Sequence, residues 1–261
     1  MLTRWAALFD THGDEADKPA LEAARAFLAD FKPTVRVGGG DHWDFRWLRK
    51  SASNDEAAES VTADFEAGLD FLAWYRPTVL TLGNHDMRLW DLLDKPTSGA
   101  LRHLATQWID RIEVTLKGCQ ILPYCKRKGV YRLGDHAVVH GYSHGLGAIR
   151  KAALVYGNVI MGHVHRVEAV RVERHDGAWG YGAGCLCRLD FDYARANVGT
   201  LAQERGFAYG VITPSGRTIV WQAREIDGTW LFPSELTPTS SPPRSRNSRA
   251  ARPAAATRAR R

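Results

Sequence analysis

The sequence predicts an α/β fold, and three observations predict it. Apolar runs of strand length alternate with helix-patterned segments from residue 5 to residue 86, the βαβα order of a sheet whose strands are predominantly parallel. Those runs end in short packets of Asp, His, Asn and Gly. A chain of 261 residues, 44% of them apolar, is long enough to bury the core of one large domain.

Residues 5–9 are the first apolar run, a strand that delivers Asp-Thr-His-Gly-Asp at positions 10–14 to its C-terminal end. An Ala-rich segment over 21–31 follows, with Asp17 and Pro19 near its start, and reads as a helix. Residues 34–37 are β-branched at alternate positions and break at Gly38, Gly39 and Gly40 before Asp41, His42, Trp43 and Asp44. Ser53 and Glu56 have capping-box spacing, and Val61, Phe65, Leu69 and Leu72 recur every three or four residues, so a helix is expected over 54–75. Arg76 and Pro77 end it, and the run 78–82 leads into Gly83, Asn84, His85 and Asp86.

From 91 to 133 the pattern weakens to a helical segment over 100–109 and short strand-like pieces broken at Gly118 and Gly129. Residues 137–140 form an apolar run ending in His140 and Gly141, 149–156 reads as helix, and 158–161 reads as a strand ending at Gly162-His163-Val164-His165. The remainder is strand-like over 168–174, 207–213 and 217–224, with the Gly-rich stretch 179–184 as a break.

Charge is unevenly placed. The formal net charge is +6, but the segment from Thr237 holds seven arginines and no acid; without them 28 basic residues face 29 acidic ones. The organisation expected is therefore a body over 1–236 and a disordered Arg/Pro/Ser/Ala-rich tail over 237–261. That tail is either a solvated end or a segment that holds phosphate backbones. Four cysteines without disulfide spacing, no leader-like segment at the start and no run of membrane-spanning length predict a soluble cytoplasmic protein that does not contact a membrane.

The packets bring together Asp10, His12, Asp41, Asn84, His140, His163 and His165. Two carboxylates, an amide oxygen and four imidazoles are too many ligands for one ion and suit two that share a carboxylate. Such a pair clamps phosphoryl oxygens and supplies a hydroxide for in-line attack. The packets DTHGD, GGDHWD, GNHD, HG and GHVH, in this order, resemble the five blocks of the calcineurin-like metallophosphoesterase family over residues 10–165, and the stretches GYGAGCLCRLDFDYA and GFAYGVI are similar to bacteriophage and prophage members.

The resemblance implies a four-layer α/β/β/α sandwich. It places Asp10, His12 and His165 on one divalent ion, Asn84, His140 and His163 on the other, and Asp41 between them, with manganese foremost and iron, zinc or nickel as alternatives. It makes His85 the acid that protonates the leaving oxygen, Asp86 the group that orients it, and Asp44 a support that does not ligate. The expected reaction is phosphoester hydrolysis by a metal-bridging hydroxide, leaning towards phosphodiesters or nucleic acid; the alternatives are a small-molecule phosphomonoesterase and a non-catalytic nucleic-acid binder. The family's Arg or Gly after the second acid of its GDxxD block is Phe45 here, which leaves Arg46, Arg88 or Arg166 as candidate phosphate contacts.

His163 and His165 would point to opposite faces of an ideal strand, so joint ligation needs a turn, which Gly162 would permit. Asp14 is read as a cap or turn residue, and His42 and His144 are assigned no role. Arg46, Trp47, Arg49 and Lys50 suit either a nucleic-acid groove or the start of an amphipathic helix. Cys185 and Cys187 are read as small buried residues.

Overall fold

The computed structural model describes residues 1–49, 52, 60–175, 177–189 and 198–232. The tail from Thr237, the capping pair Ser53 and Glu56, and Lys50 lie outside the described residues. In chain order the regular elements are β1 (Thr3–Leu8), α1 (Lys18–Phe31), β2 (Val35–Gly38), α2 (Val61–Tyr75), β3 (Val79–Thr81), α3 (Met87–Asp94), α4 (Gly99–Thr115), β4 (Gln120–Leu122), β5 (Tyr131–Leu133), β6 (His136–Val139), α5 (Ala148–Tyr156), β7 (Val159–Met161), β8 (Val167–Val172), β9 (Ala178–Ala183), β10 (Gly206–Ile212), β11 (Thr218–Ile226) and β12 (Thr229–Leu231).

The strands make two sheets. The larger runs β12-β11-β10-β1-β2-β3-β4 and the smaller β5-β6-β7-β9-β8. Strands β1 to β4 are parallel neighbours in the first, and β6, β7 and β9 are parallel in the second. Alternation along each strand sends residues to opposite faces. Trp5, Ala7, Phe9 and Val37 therefore meet Leu133, Val138 and Ile160 between the sheets. Ala6, Leu8 and Leu80 face Leu28 of α1, Leu72 of α2 and Ile112 of α4 on the outside. On the far side Ala137, Val139 and Val159 pack on Ile149 and Ala153 of α5. This is the α/β/β/α order of layers. Because β1 is covered on both faces, it reads as a continuous apolar run.

Helix starts follow local capping chemistry. Asp17 accepts from the Ala20 amide at 2.9 Å, with Pro19 in the first turn of α1. Ser60 caps α2 through the Ala63 amide at 3.2 Å, so this helix begins at Val61; the expected start at residue 54 lies outside the described residues. The short helix α3, directly after the third packet, was not expected.

The Gly-rich stretch 179–184 is not a break: Ala178–Ala183 is a strand between β7 and β8. Its glycines serve close approach. A Cβ on Gly182 would stand 2.5 Å from the Arg166 carbonyl oxygen and 2.6 Å from Ile149 Cδ1. Helix α5 can lie on this sheet only where side chains are missing. No helix among the described residues is long and apolar enough to cross a membrane. Gly182→Ala is expected to lower unfolding free energy by about 1–3 kcal/mol, read as a fall in the urea midpoint.

Candidate metal centre

All five packets sit where parallel strands end: residues 10–14 after β1, 39–45 after β2, 83–86 after β3, 140–141 after β6 and 162–165 after β7. Carboxyl ends of parallel strands are where α/β sheets place their ligands. The first two loops run side by side, with the amides of Asp10, His12 and Gly13 donating to the carbonyls of Gly40, Asp41 and His42, each at 3.0 Å. The His163 amide donates to Asp10 Oδ2 at 2.8 Å and ties the smaller sheet to the larger.

These loops are conformationally costly. Asp10, His12, Asp41, His163 and His165 all have φ between 52° and 67°, the left-handed region that side-chain-bearing residues avoid. Gly162 is therefore not what turns the chain; the two histidines do so themselves. Its lack of a side chain makes room instead, since a Cβ there would lie 2.3 Å from Asp10 Oδ2. Strain of this kind persists where surroundings enforce it and concentrates at functional sites.

The predicted ligands come together as two adjoining groups. In the first, His165 Nε2 lies 3.4 Å from Asp10 Oδ1 and 3.3 Å from His12 Nε2. In the second, His140 Nε2 lies 3.1 Å from Asp41 Oδ2 and 3.2 Å from Asn84 Oδ1, and the ligand atoms of Asp41, His140 and His163 fall within 4.8 Å of one another. Asp10, His12 and Asp41 form a set of the same tightness, so Asp41 belongs to both groups.

Asp10 Oδ1 and His163 Nε2 are buried and have no hydrogen-bond partner among the described residues. Two imidazole nitrogens 3.3 Å apart, beside a carboxylate oxygen without a donor, fit a shared cation. Burial would raise the Asp41 carboxyl, but His140 and His85 hold it well below the usual range. Burial likewise opposes a rise of His140, but Asp41 outweighs it and lifts the ring to about 9. Desolvation, with the neighbouring His140, pushes the half-buried His163 down to about 3, so its ring is neutral.

His85 is where the sequence reading needs correction. Its Nδ1 is bonded to Asp44 through a short contact to Oδ1 and a 3.1 Å contact to the carbonyl oxygen. Asp86 does not orient it. The Asp86 carboxylate accepts the amides of Asp41 at 2.7 Å, His42 at 2.9 Å, Trp43 at 3.1 Å and Gly83 at 2.8 Å. Asp86 follows His85 directly and opens α3, so its side chain turns into the protein while the imidazole stays half-buried at the site. Asp44 also takes the Nδ1 of His12 at 3.3 Å.

Two residues were missed in the sequence. Asp64, buried on α2, accepts the amides of Asp44 at 3.0 Å and Phe45 at 2.6 Å. The available signal was an acid on the apolar face that Val61, Phe65 and Leu69 define. Cys187, whose CxC spacing with Cys185 hinted at a metal but which was read as a small buried residue, lies with His12 and His165 in another tight set.

The arginines proposed for phosphate are engaged elsewhere. Arg46 forks onto Asp14 at 2.9–3.0 Å, which gives Asp14 an ion-pair role in place of a cap. Arg88 Nη1 donates to the Asp44 carbonyl at 2.8 Å, and Arg166 Nη2 to that of Gly145 at 2.7 Å. Trp47 packs against the helix-side core. A cavity of about 220 Å³ opens beside His163, lined in part by His144, Leu146, Arg166 and Gln203. A larger one of about 420 Å³ touches Arg76, Thr78 and Cys119 at the opposite end of the strands and none of the site residues.

No family model matches the chain, and no curated protein matches it. Among solved structures it is similar to a single mutant of Vps29 from Entamoeba histolytica, at 13% identity over 88% of this chain and 96% of that one, with a TM-score of 0.47. It is also similar to vacuolar protein sorting 29 from Cryptosporidium parvum (12%, 88% and 95%, 0.47) and to wild-type Vps29 complexed with zinc from Entamoeba histolytica (14%, 88% and 96%, 0.43). Likeness this loose does not transfer a function.

Burial lifts the Asp64 carboxyl to about 7, while the amides of Asp44 and Phe45 pull it down. A carboxyl raised in the folded state binds its proton more readily folded than unfolded. Its stabilisation is thus full below its ordinary value of 3.8 and lost as pH rises through about 7. Asp64→Asn, whose amide opposes one backbone donor, is expected to cost roughly 1–3 kcal/mol. The loss should grow as pH falls from about 8 to about 5, read by thermal melts across that range.

Proposed function

We propose that this chain is a dinuclear-metal phosphodiesterase. The observation that carries the reading is Asp41, common to two buried ligand groups, with a half-buried His85 alongside whose Nδ1 is already bonded. Asp10, His12 and His165 would hold one divalent ion and Asn84, His140 and His163 the other. Bound there, two such ions would polarise the phosphoryl oxygens and make water a nucleophile near neutral pH. The mixed oxygen and imidazole set suits manganese, iron, zinc or nickel, with manganese the first to try.

The chain's own contribution centres on His85. Its amide donates to Asp41 Oδ1 at 2.8 Å, which fixes the backbone, and Asp44 holds Nδ1, which fixes the ring. Nε2, 3.9 Å from Asp41 Oδ2, is left on the reacting side to give a proton to the departing oxygen. Asp44 therefore takes the orienting role. Diesters are favoured over monoesters because the second charge of a monoester needs a cation, and Arg46, Arg88 and Arg166 are each bonded to protein oxygens.

Purified protein supplied with Mn²⁺ is expected to hydrolyse bis(p-nitrophenyl) phosphate faster than p-nitrophenyl phosphate, and to lose that activity to a chelator. His85→Ala should lower kcat by about 10²–10⁴-fold without lowering metal content by elemental analysis. Turnover of monoesters alone would refute the substrate class, and an unchanged kcat would refute the role of His85.

A further inference from the structure

Three of the ligand histidines are pinned at Nδ1, each by a different acceptor. His12 meets the Asp44 carboxylate at 3.3 Å, His140 the Gly39 carbonyl at 3.0 Å, and His165 the sulfur of Cys187 at 3.9 Å. In each ring it is Nε2 that faces the other ligands: His12 and His165 face each other at 3.3 Å, and His140 faces Asp41 at 3.1 Å. An imidazole that gives a cation its Nε2 lone pair carries its proton on Nδ1, and a buried N–H needs an acceptor.

The sulfur is held there by backbone. The Leu186 amide donates to the Asp10 carbonyl at 3.1 Å, the Asp17 amide to the Leu186 carbonyl at 2.9 Å, and the Arg188 amide to the Glu15 carbonyl at 3.0 Å. Segment 186–188 is thus strapped to the loop that carries Asp10 and His12. Cys185 and Cys187 are both fully buried. Cys185 Sγ donates to the Glu204 carbonyl at 3.6 Å and also contacts the side chains of His165 and Cys187, and the Glu204 amide donates to the His165 carbonyl at 2.7 Å. The Cys-Leu-Cys segment forms the floor of the first ligand group.

We infer that Cys187 is a positioning residue for the metal group formed by Asp10, His12 and His165: its sulfur accepts the Nδ1–H of His165, aims Nε2 at the ion, and is not itself a ligand. This rests on the metal reading proposed above.

The test uses the full-length protein loaded with zinc and, separately, with cobalt. In ¹⁵N-labelled zinc protein the His165 Nδ1–H is expected as a slowly exchanging resonance, lost in Cys187→Ala. The zinc dissociation constant, measured by chelator competition, should rise about tenfold or more in Cys187→Ala. Cys187→Ser, which restores an oxygen acceptor, should fall between the two and carries the same readouts if the alanine variant does not fold. Cys185→Ala should change the constant less than Cys187→Ala. An unchanged resonance and constant in Cys187→Ala would overturn the inference. A thiolate-to-cobalt charge-transfer band in the wild type that Cys187→Ala removes would also overturn it, by making the sulfur a ligand. Wild-type protein that binds no divalent ion would overturn the metal reading first, before any variant is compared.

Discussion

Five consecutive backbone amides, those of residues 41 to 45, donate to two buried carboxylates, Asp86 and Asp64. The rest of the site depends on that clamp. The loop after β2 has left its ladder, and its amides would be orphaned in a buried place. With both carboxylates present, the loop holds Asp41 between the two ligand groups and Asp44 between His12 and His85. Burial works against the arrangement, pushing Asp86 to about 6 and Asp64 to about 7. The amide hydrogen bonds, about 1.5–3 kcal/mol each to a charged group, offset it only in part.

The clamp holds Asp41 in a left-handed backbone, and contacts between loops hold the others. One such residue costs on the order of 1–3 kcal/mol, and five ligand positions adopt it. Local bonds contribute, from the Glu15 amide to the His12 carbonyl and from the Val164 amide to the Gly162 carbonyl around His163, but other loops brace the centre as well. Asp10 is braced by the Gly40 carbonyl and the His163 amide, and His12 by the Asp41 carbonyl. Each loop supplies the bond that the next one lacks, so the centre is cooperative: removing one loop unsettles the others.

Much of this was legible along the chain, for a physical reason. Strand ends are local features, so β1 and its aspartate, the glycines before Asp41 and the run into Asn84 announced themselves, and the packets they closed are the ones that meet. What was illegible depends on contacts between distant segments. Asp86, next to His85 in sequence, was the natural partner for it, yet the bond comes from Asp44, 41 positions earlier. A glycine-rich stretch reads as a break until a helix is found lying against it. Arg46 reads as a phosphate contact until Asp14 is found beneath it, and Cys187 as filler until His165 is found above it.

The origin of the ligands has one more consequence. Asp10, His12, Asp41 and Asn84 ride on the larger sheet, and His140, His163 and His165 on the smaller. Besides the bonds between their loops, the sheets are joined face to face by a non-directional apolar layer and by a few side-chain bonds from β11, Thr218 to the Leu133 carbonyl at 2.7 Å and Gln222 to the Gly182 carbonyl at 2.6 Å. Ions shared between the two groups would be a removable cross-link between layers, closing a loop of chain from residue 10 to residue 165. Like any such link it would act on the folded state alone, adding about 2.7 kcal/mol when the free ion is at a hundred times its dissociation constant. The metal would then set how firmly the two halves of the sandwich are fastened, and a change in ion supply would be felt as a change in mechanical coupling as well as in chemistry.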